Sequence, residues 1–179
     1  MIFKVNGVTL KDAKGRNIYV PLAKDGTATI NYTIPQGMGG ITNNKTIRNY
    51  PVTAIFSSDN YYPDIKNETY FQVERSNTTI DIKSVTVTKD NQLSVKATLK
   101  DYKNNNLIGT NKVTIKINGK SYVDPSTGQP KYWSVKDGVV DLSGIEVDAK
   151  TTIKRVMIVT GERQAYLEGR NETTNIIRV

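Results

Sequence analysis

The sequence contains neither cysteine nor histidine among its 179 residues. Without cysteine, disulfides and thiolate nucleophiles are excluded. Without histidine, the chain lacks the commonest general base and metal ligand, and every Ser-His or Cys-His nucleophile pair. Apolar runs of about 18 residues, which a transmembrane helix needs, are missing too, and the first residues do not resemble a signal peptide. These absences argue against an enzyme and predict no catalytic, cofactor-binding or metal-binding residue, no cofactor and no membrane span in this chain.

Positive charge exceeds negative charge, with 25 Lys and Arg against 17 Asp and Glu and a formal net charge of +8. Such a balance attracts nucleic acid or anionic surfaces. The basic residues are scattered among Asn, Thr and Asp, and neither an RNA-binding aromatic motif nor a recognition-helix pattern is present. We therefore expect a solvated basic surface and no nucleic-acid partner.

An internal repeat organises the chain. Three pairs of segments define it: Lys4-Val5-Asn6-Gly7 with Lys116-Ile117-Asn118-Gly119, Lys24-Asp25-Gly26 with Lys136-Asp137-Gly138, and Asn67-Glu68-Thr69 with Asn171-Glu172-Thr173. The offset is 112 residues for the first two pairs and 104 for the third, because the first copy has an extra loop around residues 37–41. A period this long is typical of a domain rather than of a solenoid unit. The sequence predicts two domains, 1–76 and 77–179, joined by a short, stiff boundary.

The first copy lacks a counterpart to part of the second. Residues 78–112 precede the second copy, whereas Met1 aligns with Val113. The first domain is therefore predicted to lack its N-terminal strands and to expose a sheet edge and part of its core. Three resolutions are open: the chain is a fragment of a longer array, strands of a neighbouring molecule complete the fold, or the remaining strands close against the second domain. We favour a fragment in the source protein and self-association through the open edge of the isolated chain.

Alternation of apolar and polar residues with period two dominates the second copy. The predicted strands are 79–88, 92–99, 112–118, 120–123, 131–136, 138–143, 153–160 and 172–179. Asn-Gly and Asp-Gly pairs in both copies mark hairpin turns, since these turns require positive φ. Many short strands over about 100 residues favour an immunoglobulin-like sandwich. The predicted fold class is all-β, with two tandem immunoglobulin-like antiparallel β-sandwiches, the first lacking its N-terminal strands.

The alternation also predicts the two cores. In the first copy these are Phe3, Val5, Ile30, Val52 or Ile55, Phe71 and Val73, and in the second Leu93, Val95, Val113, Ile115, Leu142 and Ile177. For the strand at 153–160, either Val156 and Ile158 or Met157 and Val159 face the core.

The order and spacing of several short motifs resemble a known family. They are Ile2-Phe3-Lys4-Val5-Asn6-Gly7, Asp25-Gly26-Thr27-Ala28, Tyr32-Thr33-Ile34-Pro35 and the segment Val52-Thr53-Ala54-Ile55-Phe56-Ser57-Ser58-Asp59 with Tyr62. The chain is similar to the Ig-like repeats of microbial surface proteins, and most of all to the adhesin-like proteins of methanogenic archaea. This resemblance implies extracellular display on the cell surface and adhesion, usually within a long array.

Asparagine and carboxylate patterns offer further candidate sites. Sequons for N-glycosylation begin at Asn31, Asn44, Asn67, Asn77 and Asn171. The spacing of Asp59 and Asp64 is compatible with calcium, but the turn glycine and the terminal Glu of a calcium loop are missing. A second carboxylate pair, Asp137 and Asp141, has no nucleophile beside it. We therefore predict no metal site.

One pair of residues suggests a cross-link. Asn175 aligns with Phe71, so the alternation places a polar side chain on a core face, which is costly unless it is bonded. Lys83 lies on the first strand of the same domain. A first-strand Lys joined to a last-strand Asn is the arrangement of intramolecular isopeptide bonds in some Ig-like adhesins, with Asp141 or Glu146 as the required acid. The alternative is an Asn175 satisfied by hydrogen bonds.

Tyrosine is more abundant than two small cores need. The aromatic residues in question are Tyr19, Tyr50, Tyr61, Tyr62, Tyr70, Tyr122, Tyr132 and Trp133. They serve either core packing or a binding surface. We predict a cell-surface adhesin-like protein that binds other cells, proteins or glycans without catalysis. The alternatives are a purely structural stalk or spacer and a carbohydrate-binding module, and a contiguous exposed Tyr patch would favour a binder over a spacer.

Overall fold

The computed structural model describes residues 1–58 and 61–179, and these form two compact units, Met1–Glu74 and Arg75–Val179. Every regular element within the described residues is a β-strand. The described residues contain no helix that is long and apolar enough to cross a membrane. The structure thus confirms the predicted all-β class.

The second unit contains nine strands in its described residues. They are β5 (Thr79–Val87), β6 (Gln92–Lys100), β7 (Thr110–Ile117), β8 (Lys120–Ser121), β9 (Trp133–Lys136), β10 (Val139–Glu146), β11 (Val156–Thr160), β12 (Gly169–Thr173) and β13 (Ile177–Arg178). Eight of them follow the order β12-β11-β7-β9-β10-β6-β5-β13, and β8 pairs with β7. All pairings are antiparallel except that of β13 with β5.

The two ends of this sheet meet. β12 and β13 lie at opposite ends of the strand order, although only residues 174–176 separate them in sequence. The side-chain amide of Asn171 on β12 donates to the carbonyl of Ile80 on β5 at 2.7 Å. The hydroxyl of Thr78 likewise donates to the carbonyl of Leu167 at 2.7 Å. The sheet therefore folds back on itself into a closed sandwich, which leaves few unpaired edges.

Alternate residues of β6 fill the second core. Leu93, Val95, Ala97 and Leu99 are at most 3% exposed. Across the sandwich they face the β7 and β11 layer, in which Val113, Ile115, Val156 and Ile158 are fully buried. The open choice on β11 is therefore settled in favour of Val156 and Ile158.

The prediction for Ile177 is wrong, since this side chain is 48% exposed. The predicted continuous last strand is interrupted after Thr173, and Ile177 resumes pairing in parallel with Thr86 on β5. A strand that changes partner also changes the face that its side chains present, so the alternation could not be extended across the break.

The first unit repeats one layer of the second. Its strands are β1 (Ile2–Val5), β2 (Val8–Thr9), β3 (Asn49–Ser58) and β4 (Tyr61–Gln72), in the order β2-β1-β3-β4. Val5 pairs with Val52, as Ile117 pairs with Val156. The Asn6 amide donates to the Pro51 carbonyl at 2.8 Å, as Asn118 does to Arg155 at 3.0 Å. Residues related by the sequence offsets of 112 and 104 therefore occupy the same positions in the strand pairing of the two units.

The opposite layer is where the two units differ. Residues 27–34 align with β10, yet within the described residues they form no strand pairing. Among the side chains described in this unit, Val5 and Tyr50 are the buried large hydrophobic ones, while the predicted core residues Phe3, Ile30, Val52, Phe71 and Val73 are only half-buried. The first core is thus incomplete, as the missing counterpart of residues 78–112 predicts.

The hairpin turns follow their sequence signals in part. Asn6, Gly7, Asn118 and Gly119 all have positive φ, as an Asn-Gly turn between two strands requires. Asp137 also has a φ of 50°, but its counterpart Asp25 does not have positive φ. The Asp25 carboxylate instead accepts hydrogen bonds from the amide of Thr27 at 3.0 Å and from its hydroxyl at 2.7 Å, and no strand pair flanks this turn.

Candidate binding cavity in the first unit

The unfilled side of the first unit forms an open cavity of about 430 Å³. One wall is the inner face of the sheet, with Phe3, Val5, Val52 and Phe71. The other side is lined by the segment 27–34, which aligns with β10 and contributes Ala28, Thr29, Ile30, Tyr32 and Ile34, and Leu10 completes the lining. The predicted first core includes Phe3, Val5, Ile30, Val52 and Phe71 of this lining, whereas the alternation gave no signal for Leu10 or Thr29.

The second unit shows what fills the equivalent space. Ala28 and Ile30 align with Val140 and Leu142 on β10, which pair with Ala97 and Val95 of β6. All four of these second-unit side chains are at most 9% exposed. Within the described residues, Ala28 and Ile30 therefore have no neighbouring strand of the kind that β6 provides to Val140 and Leu142.

An aromatic cluster borders the cavity. The rings of Tyr50 and Phe71 stack with their centroids 5.6 Å apart, and Tyr32 meets Phe71 at 6.2 Å in a tilted arrangement. The Tyr50 hydroxyl donates to the carbonyl of Gly39 at 2.6 Å. Gly39 belongs to the extra loop of the first copy, so this loop fixes the ring that supports Phe71.

The lining determines which chemistry the cavity supports. It presents apolar side chains with the hydroxyls of Thr29 and Tyr32, and it includes no carboxylate, ammonium or guanidinium group among the described residues. Such a surface gains free energy by removing apolar groups of a partner from water, at roughly 25 cal/mol per Å². Apolar burial, rather than acid–base or metal chemistry, is the activity that these residues can perform.

The structure corrects the prediction for Asn175. Its side chain is exposed, and its backbone amide donates to the Thr173 hydroxyl at 3.1 Å. Lys83 is exposed as well and pairs with Asp81. Asn175 is not buried, because it lies in the segment between β12 and β13 where the alternation of the strand no longer applies. The proposed acids Asp141 and Glu146 are exposed too.

The carboxylate pairs do not form a site in the part of the chain that the structure describes. The Asp137 carboxylate accepts from the Gly109 amide at 3.0 Å, and Asp141 lies 3.4 Å from Lys96. No cluster of three or more Asp and Glu side chains that could hold a metal occurs among the described residues. Asp59, and with it the calcium hypothesis for Asp59 and Asp64, lies outside the described residues.

A polar cluster that the sequence did not reveal lies in the second unit. Asp124 Oδ2 accepts from Lys131 Nζ at 2.7 Å, and Oδ1 accepts from the Ser126 hydroxyl at 2.6 Å and its amide at 3.0 Å. The Lys131 hydrogen bond and then those of Ser126 hold the pKa of Asp124 well below its ordinary value of 3.8. The Asp124 carboxylate in turn raises the pKa of Lys131. This cluster fixes the turn that aligns with residues around Asp12.

The remaining aromatic residues divide between packing and exposure. Tyr122 and Trp133 pack with centroids 5.6 Å apart, whereas Tyr19, Tyr70 and Tyr132 are more than 60% exposed. Tyr132 and Trp133 are strand neighbours, and Trp133 is the one that packs against the core. The side chains of Tyr61 and Tyr62 lie outside the described residues.

The asparagines of the sequons differ in accessibility. All five are exposed. The Asn171 side-chain amide, however, is bonded to the Ile80 carbonyl. Its counterpart Asn67 lies on β4 of the first unit, and the described residues of that unit form no strand equivalent to β5.

Comparisons with known proteins do not identify a family for this chain. No known protein family has a profile that matches the chain, and no curated protein matches it. Among solved structures, the chain is similar to one described as Sidekick-1 immunoglobulin domains 1-5, with a TM-score of 0.41 and 10% sequence identity. The match covers 99% of this chain and 33% of that one, so the chain spans about a third of the structure to which it is similar.

Proposed function

We propose that this chain is an adhesive, non-catalytic Ig-like region of an extracellular surface protein. The observation that carries this proposal is the open apolar cavity of the first unit. The resemblance to the Ig-like repeats of archaeal adhesin-like proteins supports surface display. The boundary between the two domains at residues 76 and 77 is part of the same proposal.

The lining of the cavity favours adhesion over a purely structural spacer. Both units build the same sheet in the same register, and in the first unit apolar residues of that sheet line the open cavity. An apolar cavity rimmed by Tyr32 and Phe71 is the kind of concave surface on which partners bind.

A binding screen tests the proposal. The full chain is applied to intact cells, to a glycan array and to surface-protein extracts, together with Ile30→Asp, which puts a charge into the cavity. Val139→Asp is the matched control, since Val139 is 51% exposed on β10 of the second unit. We expect binding that Ile30→Asp abolishes and Val139→Asp retains. Absence of all binding would favour the spacer, and glycan binding that survives Ile30→Asp would favour a carbohydrate-binding module.

A further inference from the structure

We propose that Asn6 is a site of spontaneous deamidation, at which the protein loses ammonia and acquires an aspartyl or isoaspartyl residue, whereas the equivalent Asn118 is protected. Both asparagines are followed by glycine. Glycine has no Cβ, so its backbone nitrogen can approach the preceding side chain with little steric hindrance. The difference between the two sites lies in the hydrogen bonds of the asparagine side chains, and it is independent of the proposed function.

The reaction needs only the chain and water. The backbone nitrogen of Gly7 attacks the side-chain carbonyl carbon of Asn6, so that a new C–N bond forms while the bond from that carbon to Nδ2 breaks. The Gly7 amide proton leaves with the Nδ2 group as ammonia, and the product is a cyclic imide. Water then opens the imide at either carbonyl, which leaves aspartate or, with the main chain running through the former side chain, isoaspartate.

The two Asn-Gly turns have nearly the same backbone. Asn6 and Gly7 have φ of 52° and 79°, and Asn118 and Gly119 have φ of 51° and 87°. In both turns the asparagine amide donates to the equivalent backbone carbonyl, that of Pro51 or of Arg155. Backbone conformation therefore does not distinguish the two sites.

The side chain of Asn118 is held at both polar atoms. Its Nδ2 donates to the Thr152 carbonyl at 2.9 Å, and its Oδ1 accepts from the amides of Lys154 at 2.8 Å and Arg155 at 3.2 Å. These three hydrogen bonds form a clamp on the carboxamide. The side chain must break them before its carbonyl carbon can meet the Gly119 nitrogen, and each broken bond costs free energy. The clamp therefore slows deamidation at Asn118.

Asn6 does not have this clamp. Pro51 occupies the position equivalent to Arg155, and proline has no amide hydrogen to donate. In the part of the chain that the structure describes, the exposed Asn6 side chain has no hydrogen-bonding partner. Its carboxamide can therefore rotate towards the Gly7 nitrogen without breaking a hydrogen bond.

Deamidation at Asn6 changes the turn that joins β1 and β2. Val5 pairs with Val8 across this two-residue turn. Both products add a negative charge, and isoaspartate also adds a carbon atom to the main chain. A lengthened turn no longer matches the geometry that a two-residue hairpin requires. The modification therefore weakens the pairing of β1 with β2 as the protein ages.

The first test incubates the unaltered full chain at mildly alkaline pH and follows both sites by mass spectrometry. Trypsin releases the two Asn-Gly pairs in separate peptides, residues 5–11 and 117–120, and a zero-time sample corrects for conversion during digestion. We expect Asn6 to convert at least about tenfold faster than Asn118 in the folded protein.

The same chain in concentrated urea is the control, because unfolding removes the clamp. There the two rates should become similar, since a β-branched residue precedes each Asn-Gly pair. Similar rates in the folded protein would overturn the proposal. A difference that persists undiminished in urea would overturn it too, because the local sequence would then be the cause.

The second test transfers the proline of the first turn to the second. Arg155→Pro removes one donor of the clamp, and Arg155→Ala is the matched control, since it removes the guanidinium but keeps the amide. Both variants are compared at a temperature at which circular dichroism shows the second unit folded, with Asn6 in the same samples as the internal standard. We expect Asn118 to convert about fivefold faster in Arg155→Pro and at the original rate in Arg155→Ala. Equal rates in the two variants would overturn the role of the clamp.

Discussion

Phe71 and Asn175 occupy equivalent positions of the two copies but have different environments. Phe71 stacks on Tyr50 and lines the cavity, whereas Asn175 lies exposed between two short strands. In the second copy, Lys154 occupies the position equivalent to Tyr50. The aromatic rim is thus specific to the first unit, where the described residues form no paired strands opposite the sheet.

At the same scale, replacing Gly138 should lower the stability of the second unit more than most other single substitutions. Its φ is +71°, and a Cβ there would lie 2.6 Å from the Leu99 carbonyl oxygen and 2.8 Å from the Leu107 amide nitrogen. Gly128, with φ +68° and open space around it, is the matched control. Both alanine variants bear the left-handed cost of about 1–2 kcal/mol. We expect Gly138→Ala to lower the urea midpoint of the second unit clearly more than Gly128→Ala, and equal shifts would contradict the clash.

The Asp124 cluster predicts a pH dependence. The pKa of Asp124 in the folded state lies below its ordinary value of 3.8. The ionised carboxylate therefore contributes fully to the free energy of unfolding above that ordinary value, and this contribution is lost as the pH falls through the folded pKa. Asp124→Asn should therefore reduce the acid-induced loss of stability of the second unit. Asp141→Asn removes a charge of the same sign from an exposed strand position, and we expect it to leave the acid-induced loss of stability unchanged. Thermal unfolding between neutral and acidic pH checks this, and parallel curves for wild type and Asp124→Asn would refute it.

Sequon use should follow the freedom of the side-chain amide. In a glycosylating host we expect modification at Asn44, which lies exposed in a turn, and little at Asn171, whose amide nitrogen is 2.7 Å from the Ile80 carbonyl oxygen. Peptide mass spectrometry measures occupancy at each site. Preferential modification of Asn171 would mean that its bond to β5 opens readily.

At the scale of elements, the β1-β3-β4 layer and the β7-β11-β12 layer are the same structure in two surroundings. Val52 and Val156 occupy the same register position on β3 and β11. Val156 is fully buried, whereas Val52 is half-buried and borders the cavity. The difference comes from β5 and β6, which cover only the second layer.

The two valines therefore make a matched test of core completeness. Val156→Ala should cost about 2–3 kcal/mol, since it removes two buried carbons and leaves a void, while Val52→Ala should cost about 1 kcal/mol or less. Chemical denaturation of the full chain, followed through probes in each unit, compares the two. Equal costs would indicate that the first core is as closed as the second.

At the scale of the whole molecule, the closed unit should be independent of the open one. We expect a fragment of residues 75–179 to unfold cooperatively as a monomer, because its sheet ends meet and its core is filled. A fragment of residues 1–74 should show little cooperativity and should associate, because its sheet keeps a long unpaired edge at β4 and an open apolar face. Circular dichroism and light scattering measure both, and a cooperative, monomeric 1–74 fragment would contradict the incompleteness of its core.

The sequence by itself determined the β class, the repeat offsets, the Asn-Gly turns and most of the second core. These features depend on local rules, because period-two alternation and turn residues act over a few positions. The same comparison of copies predicted that the first core would be incomplete, from the absence of a counterpart to residues 78–112.

Only the tertiary structure decided the features that depend on partners distant in sequence. Ile177 and Asn175 were misplaced, because the last strand breaks and pairs with β5 instead of continuing beside β11. Asp124 accepts a hydrogen bond from Lys131 across a turn, and the Tyr50 hydroxyl donates to the carbonyl of Gly39 in the extra loop. Likewise, the cavity depends on which strand lies opposite the sheet, and that is a property of long-range pairing that alternation along one strand does not encode.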